Sequence, residues 1–155
     1  MDAGCDHVIL SGAPREEWPD QTINDLVPRA GPAGGMVSCL LELQQAVHAQ
    51  LVFVAVDTPL LSPTLIQRLL NVPAPADAAL YQQHPLPLVL RLTPAVLAQA
   101  RSLYQDLCAG QDCSVRAFIA PLQTVQLIPS DAEASQLLNI NTPQAWDNLQ
   151  HELTH

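Results

Sequence analysis

The sequence predicts an α/β fold built on a mainly parallel sheet, and three observations point to it. The first is an unbroken apolar run, Leu51-Val-Phe-Val-Ala-Val56, that ends on Asp57 and is followed by the Pro-bounded turn Thr58-Pro-Leu-Leu-Ser-Pro63. It is short for a helix and too apolar for a half-exposed strand, so it reads as a buried central strand. The second is the alternation of strand-like and helix-like segments along the chain, the pattern of a sheet covered by helices. The third is composition: 155 residues, 48% hydrophobic and 14% charged, with scarce aromatics. That is an aliphatic-rich chain able to bury one core, so a single domain over residues 1–155 is expected.

The elements follow in order. His7 to Leu10 reads as a short strand ending in Ser-Gly. Pro14 to Ala30 is polar, contains Trp18 and Asn24-Asp25, and reads as a surface loop. Gly31-Pro-Ala-Gly-Gly35 opens a helix that runs to about Gln50, with Met36, Val37, Leu40, Leu41, Leu43 and Val47 on one face. After the Leu51–Val56 strand, a helix is expected over Ser62 to Asn71, with Leu65, Ile66, Leu69 and Leu70 inward and Ser62 as its cap. Val72-Pro-Ala-Pro-Ala76 is a turn.

Ala78 to Tyr81 is a strand, His84-Pro-Leu-Pro87 interrupts it, and Leu88 to Arg91 is a second. Thr93 caps a helix with Pro94 at its first position, a strong start signal, and the helix reaches about Cys108. A short helix spans Ser114 to Ile119 and a strand Thr124 to Ile128. The tail, from Asp131 to His155, contains the loop Asn139-Ile-Asn-Thr-Pro143 and a last helix with Trp146 and Leu149 inward.

Charge and cysteine content narrow the function classes. The formal net charge is −9 and the sequence pI about 4.6. Such a chain does not favour nonspecific contact with nucleic acid or anionic membrane. All six basic residues are arginine (Arg15, Arg29, Arg68, Arg91, Arg101 and Arg116), and there is no lysine. Cys5, Cys39, Cys108 and Cys113 contain no C-x-x-C pair and read as reduced, mostly buried thiols. With no signal-peptide core and no membrane-length apolar run, a cytoplasmic setting is expected.

Asp57 is the first candidate functional residue. The carboxyl ends of strands are where open α/β sheets bind ligands. A carboxylate there meets a cation, a metal or helix N–H groups rather than standing unpaired. The plainer reading makes it a cap for the following helix, a role Ser62 already fills.

Three motifs recur in one order: Gly31-Pro-Ala-Gly34, Val56-Asp-Thr-Pro59 and Asn139-Ile-Asn-Thr-Pro143. His84-Pro-Leu-Pro-Leu88 and Ser114-Val-Arg-Ala-Phe118 lie between the last two. This ordered set resembles the molybdenum cofactor guanylyltransferases, within the wider nucleotidyltransferase group. The resemblance implies a three-layer Rossmann-like nucleotidyltransferase fold. It implies transfer of GMP from GTP to Mo-molybdopterin with loss of pyrophosphate, dependent on Mg²⁺. Asp57 is then the catalytic metal ligand, with Asn139 and Asn141 near the same Mg²⁺. Such oxygen donors suit this ion. For the two asparagines an Asx turn before a Thr142-capped helix remains the plainer alternative.

By the same resemblance Asp25, Gly31, Pro32, Gly34 and Gly35 form the guanine-binding region, although Ala33 stands where the family usually has a large apolar residue. A simple loop-to-helix turn is the competing reading. Arg116 and His84 are implied near the second substrate; as alternatives they are a surface arginine and a solvated loop histidine.

One departure stands out. The family begins with a strand and a glycine-rich loop carrying an arginine and a lysine, which cradle the triphosphate. Here nothing like that loop precedes His7, so the first βα unit is expected to be missing and activity of this chain alone to be impaired. Open edges are then expected at Val8 and Val54, to be closed by re-pairing, by a homo-oligomer or by a strand-donating partner chain. A cytidylyltransferase for the same cofactor is a close variant. A noncatalytic module that binds the cofactor or a molybdoenzyme is the reading from another class.

Overall fold

The computed structural model describes residues 3–18 and 20–154. Pro19 of the expected loop and His155 at the end of the expected tail lie outside them. In chain order the elements are β1 (Leu10–Ser11), β2 (Thr22–Ile23), α1 (Gly31–Glu42), β3 (Gln50–Phe53), α2 (Pro63–Leu70), β4 (Ala78–Tyr81), β5 (His84–Arg91), α3 (Pro94–Cys108), α4 (Val115–Ile119), β6 (Thr124–Leu127), α5 (Asp131–Gln136) and α6 (Pro143–Leu153).

Strands β1 and β2 pair in parallel, and the other four form a sheet in the order β3-β5-β4-β6. β4 and β6 are parallel, and β5 is antiparallel to both β3 and β4. Three of these four strands therefore run the same way, and β5 alone runs against them. It does so because it returns from β4 through the tight Gln82-Gln83 turn, where Gln83 adopts φ +67°. The carboxyl ends of β3, β4 and β6 thus share one end of the sheet with the start of β5.

Strand alternation sorts the core into two layers. Ala78, Leu80, Leu88 and Leu90 point to one face and pack with α1, α3 and α4 through Met36, Leu40, Val96, Leu103 and Phe118. Ala79, Tyr81 and Val89 point to the other and pack with Leu65 and Leu69 of α2 and with Leu137. Helices on both faces make the three layers expected of an α/β domain.

Local signals place several elements well. α3 begins where Thr93 accepts from the Val96 N–H and Pro94 occupies the first turn. α4 is capped by Ser114 and α6 by Thr142. Other expectations are corrected. The strand expected over His7–Leu10 shrinks to Leu10–Ser11, because its one partner, β2, is itself two residues long. That partner lies inside the expected surface loop.

α1 stops at Glu42 rather than near Gln50. Leu43 caps the helix with its N–H on the Cys39 carbonyl, a run of turns follows, and His48, at φ +68°, directs the chain into β3: its N–H donates to the Leu92 carbonyl while the Ala49 carbonyl accepts from the Leu92 N–H. The backbone here is taken up by the β3–β5 ladder, and Val47 faces solvent. β5 runs through Pro85 and Pro87 instead of starting at Leu88. Both prolines lie beyond the end of β3, whose last pair is Phe53–Leu88, and in the register shift against β4, so neither removes a ladder donor that is needed.

The apolar run at Leu51 is not a buried central strand. β3 pairs only with β5 among the described residues; Gln50 is exposed, and Leu51, Val52 and Phe53 are half-buried. The positions expected at open edges are exposed: Val8 at 57%, Val54 at 43% and, beyond it, Val56 at 88%. In the tail, α5 was unexpected, and Trp146 and Leu149 do not turn into a core: α6 buries none of its residues.

Candidate active site at the strand ends

Asp57 lies in the turn that follows β3, four residues past the Phe53–Leu88 pair, at the end of the sheet where open α/β folds collect ligands. Its side chain is half-buried and accepts no hydrogen bond from the described residues. It does not cap α2. The turn is held instead by the Thr58 hydroxyl, which donates to the Ala55 carbonyl at 2.8 Å. Ser62 occupies the N-cap position, but its hydroxyl makes no capping bond, so that expected role is corrected.

The tail reaches this turn through one backbone contact. The Ile140 N–H donates to the Asp57 carbonyl at 2.7 Å. Asn139 and Asn141 flank Ile140, and both are exposed. The contact is between main-chain atoms, and it sets Asn139 and Asn141 one residue to either side of the point where the tail meets the Asp57 turn. Thr142 caps α6 by accepting from Ala145, so the capping part of the plainer alternative is also present.

A second cluster forms at the start of α1. Gly31, at φ +66°, turns the chain into the helix. A Cβ on Gly35 would lie 2.7 Å from the Ser11 Oγ and 3.5 Å from the Asp25 Oδ1. With no Cβ at Gly35 the Ser11 hydroxyl can sit against the helix, and Asp25 stays at ordinary contact distance. Cys39, one turn further on, is buried, and its thiol is pushed up by burial; Ser11 opposes the shift by hydrogen bonding, and the Asp25 charge adds to it. Ser38 closes the cluster, donating to the Gly34 carbonyl and accepting from the Leu26 N–H, both at 2.9 Å. Asp25 and Gly35 are thus together, with Pro32 exposed at the helix entrance. Ser11 was not anticipated. Its one sequence signal is the Ser-Gly step after the first strand.

His84 begins β5, paired with Tyr81, rather than sitting in a loop. It lies four residues from Leu88, as Asp57 does from Phe53, so both occupy the same end of the sheet. Arg116 is exposed on α4, and its side chain hydrogen-bonds to neither cluster. Among the cysteines only Cys39 is buried; Cys5 and Cys108 are exposed, contrary to expectation, and all four are free.

Among the described residues no group of three or more His, Cys, Asp or Glu side chains could hold a metal. An ion at Asp57 would therefore take one carboxylate with amide, water or phosphate oxygens, a donor set that fits Mg²⁺. The half-buried, unpartnered carboxylate is the observation that fits it. A cavity of about 690 Å³ lies elsewhere, between Asn71–Ala76 and Gln123–Leu127. It is mostly apolar, and neither cluster contributes to its lining.

The fold places the chain among the nucleotidyltransferase-type α/β domains. It belongs to the MobA-like NTP transferase domain family, which matches residues 1–125. A molybdenum cofactor guanylyltransferase of Xanthomonas euvesicatoria pv. vesicatoria is 35% identical over 97% of this chain and 75% of its own length. A probable molybdenum cofactor guanylyltransferase of Chloroflexus aggregans is 28% identical over 90% of this chain and 70% of its own. The crystal structure of molybdopterin-guanine dinucleotide biosynthesis protein A from Archaeoglobus fulgidus superposes with a TM-score of 0.67 at 20% identity, covering 89% of this chain and 70% of that one. No described helix is long and apolar enough to cross a membrane.

Proposed function

We propose that this protein is a Mg²⁺-dependent guanylyltransferase that transfers GMP from GTP to Mo-molybdopterin. A phosphate oxygen of the pterin would attack the α-phosphorus of GTP and pyrophosphate would leave. The observation that carries this reading is the meeting of Asp57 with the Asn139–Asn141 segment through the Ile140 contact. The names of the relatives support the substrate pair.

Bound Mg²⁺ would offset charge on the α-phosphate as it is attacked. Asp57 would hold the ion, and the Asn139 and Asn141 amides would supply further oxygens or bind phosphate. Asp25 would accept from guanine N1–H and N2–H₂, beside the backbone of Gly31, Pro32, Gly34 and Gly35. His84 would line the second substrate's approach and Arg116 would meet one of its phosphates. The cytoplasm is the compartment that fits this chemistry.

The 155 residues include no lysine. Losing one donor to a developing oxyanion typically costs ~3 kcal/mol of barrier. The chain alone is therefore expected to bind better than it turns over, unless a partner supplies phosphate donors. The same observation favours a second reading, a noncatalytic module that binds the cofactor or a molybdoenzyme. Calorimetric titration with GTP, with and without Mg²⁺ and with CTP as control, separates them. Mg²⁺-dependent binding that prefers GTP supports the guanylyltransferase; a preference for CTP moves the assignment to the cytidylyl variant; no binding of either leaves the noncatalytic module.

A further inference from the structure

The segment around Ile140, whose N–H meets the Asp57 carbonyl, has little of its own to hold it. Neither α5 nor α6 buries a residue. Between them Leu137 is 2% exposed and packs with Leu65, Leu69, Tyr81 and Val89. Just upstream, the Arg68 guanidinium of α2 pairs with the Glu133 carboxylate of α5.

This pair differs from an ordinary surface ion pair, which contributes little because two long side chains must be ordered for it. Here both partners are already ordered by other contacts. Arg68 lies over the Tyr81 ring, 5.7 Å from its centroid. The Tyr81 hydroxyl is fixed by donating to the Leu65 carbonyl at 2.8 Å. Glu133 uses its Oε1 for Arg68 and its Oε2 to accept from the Ser130 N–H at 2.8 Å, while Ser130 caps the Glu133 N–H in return. One carboxylate therefore starts α5 and ties it to α2, four residues before the Leu137 anchor and seven before Ile140.

We infer that Arg68 and Glu133 are positioning residues: their pair latches α5 to the body so that Asn139 and Asn141 are presented beside Asp57. The inference rests on the proposed metal role of that trio. It extends the site to two residues that touch neither nucleotide nor ion.

The test compares Arg68→Leu, Arg68→Lys and Glu133→Gln with the wild-type chain. Glu133→Gln keeps an acceptor for the Ser130 N–H and removes only the charge. Two readouts are taken: hydrogen exchange at the Ile140 amide, and the Mg²⁺ concentration needed for GTP binding. Exchange at Ala79 and Leu90 in the sheet checks that each variant is folded. Ile140 is expected to exchange about tenfold faster in Arg68→Leu and Glu133→Gln, as local opening becomes easier. The Mg²⁺ requirement is expected to rise several-fold while Mg²⁺-free GTP affinity stays constant, with Arg68→Lys nearer to wild type on both. Unchanged Ile140 exchange in variants with an intact sheet overturns the latch. So does an equal loss of Mg²⁺-free and Mg²⁺-dependent binding. If the wild-type chain binds no GTP at any Mg²⁺ level the proposed function falls, and Ile140 exchange still decides the latch by itself.

Discussion

The Ile140 N–H donates to the Asp57 carbonyl at 2.7 Å, so the chain joins a turn after β3 to a tail more than eighty residues later through backbone atoms alone. Side-chain substitution at Asp57 leaves that carbonyl in place. Asp57→Asn should therefore keep the tail attached and lose the proposed Mg²⁺ ligand. We expect Mg²⁺-dependent GTP affinity to fall by at least about tenfold, or ~1.4 kcal/mol, with Mg²⁺-free binding unchanged. Calorimetry of the variant decides; an unaltered Mg²⁺ requirement would place the ion elsewhere.

Gly35 and Gly34 separate binding from stability. A Cβ on Gly35 meets the Ser11 Oγ at 2.7 Å, whereas one on Gly34 meets the Ala30 Cβ at 2.2 Å. Ser11 can rotate away at the expense of the cluster around Asp25. The Ala30 methyl cannot rotate out of the way. Gly35→Ala should therefore weaken GTP binding with a modest change in stability. Gly34→Ala should cost about 1–3 kcal/mol by overpacking. Urea unfolding and GTP titration of the two variants should give opposite rankings.

Asp77 marks the other end of the sheet. It is buried, accepting from the Thr93 hydroxyl at 2.9 Å and from the Gln123 N–H at 3.2 Å. Asp77→Ala leaves both donors without their acceptor, and a loss of about 1–3 kcal/mol is expected for such an orphaned buried group. GTP affinity of the folded variant should match wild type. A shared loss of stability and affinity would show that the two ends are not independent.

Cys39 is buried and its thiol is pushed up by burial, while Cys5 and Cys108 are exposed. The thiolate is the reactive form. Brief alkylation at neutral pH should mark Cys5 and Cys108 and spare Cys39 until the chain is unfolded, as peptide mass spectrometry will show. Early modification of Cys39 would mean that the α1 entrance opens readily.

The Glu133 carboxyl is held below its usual range, first by the Ser130 N–H and then by Arg68. The folded form thus releases its proton at lower pH than the unfolded form. Its contribution is complete above about pH 4.3, where an unpaired glutamate ionises, and is lost as pH falls through the depressed folded value. Ile140 protection, taken relative to Ala79, should be flat from neutral pH down to that point and fall below it. Glu133→Gln should remove this dependence.

What was legible in the sequence was mostly local. Ala78–Tyr81 and the Thr93-Pro94 helix carry their own signals and appear as read. The order of glycine, aspartate and asparagine motifs points to the family by itself. What was missed depends on distant partners. The start of the β3 ladder is set by Leu92, the place of β3 by which strands flank it, and the passage of β5 through two prolines by where β3 stops. Ser11 joins Asp25 and Gly35 only in space. α5 is a different kind of omission: Ser130 and Glu133 form a capping box whose spacing is visible in the sequence.

The reversed course of β5 gives the sheet two unlike ends. Asp57, the β4–β5 turn with His84, and the start of the tail occupy one. At the other, Asp77 holds Thr93 and Gln123, and Arg91 donates to the Val72 carbonyl. On the proposed function, changes in the first set alter what is recognised, and changes in the second alter whether the chain folds. Drift in ligand preference across relatives of this fold can accumulate at one end without drawing on the stability stored at the other.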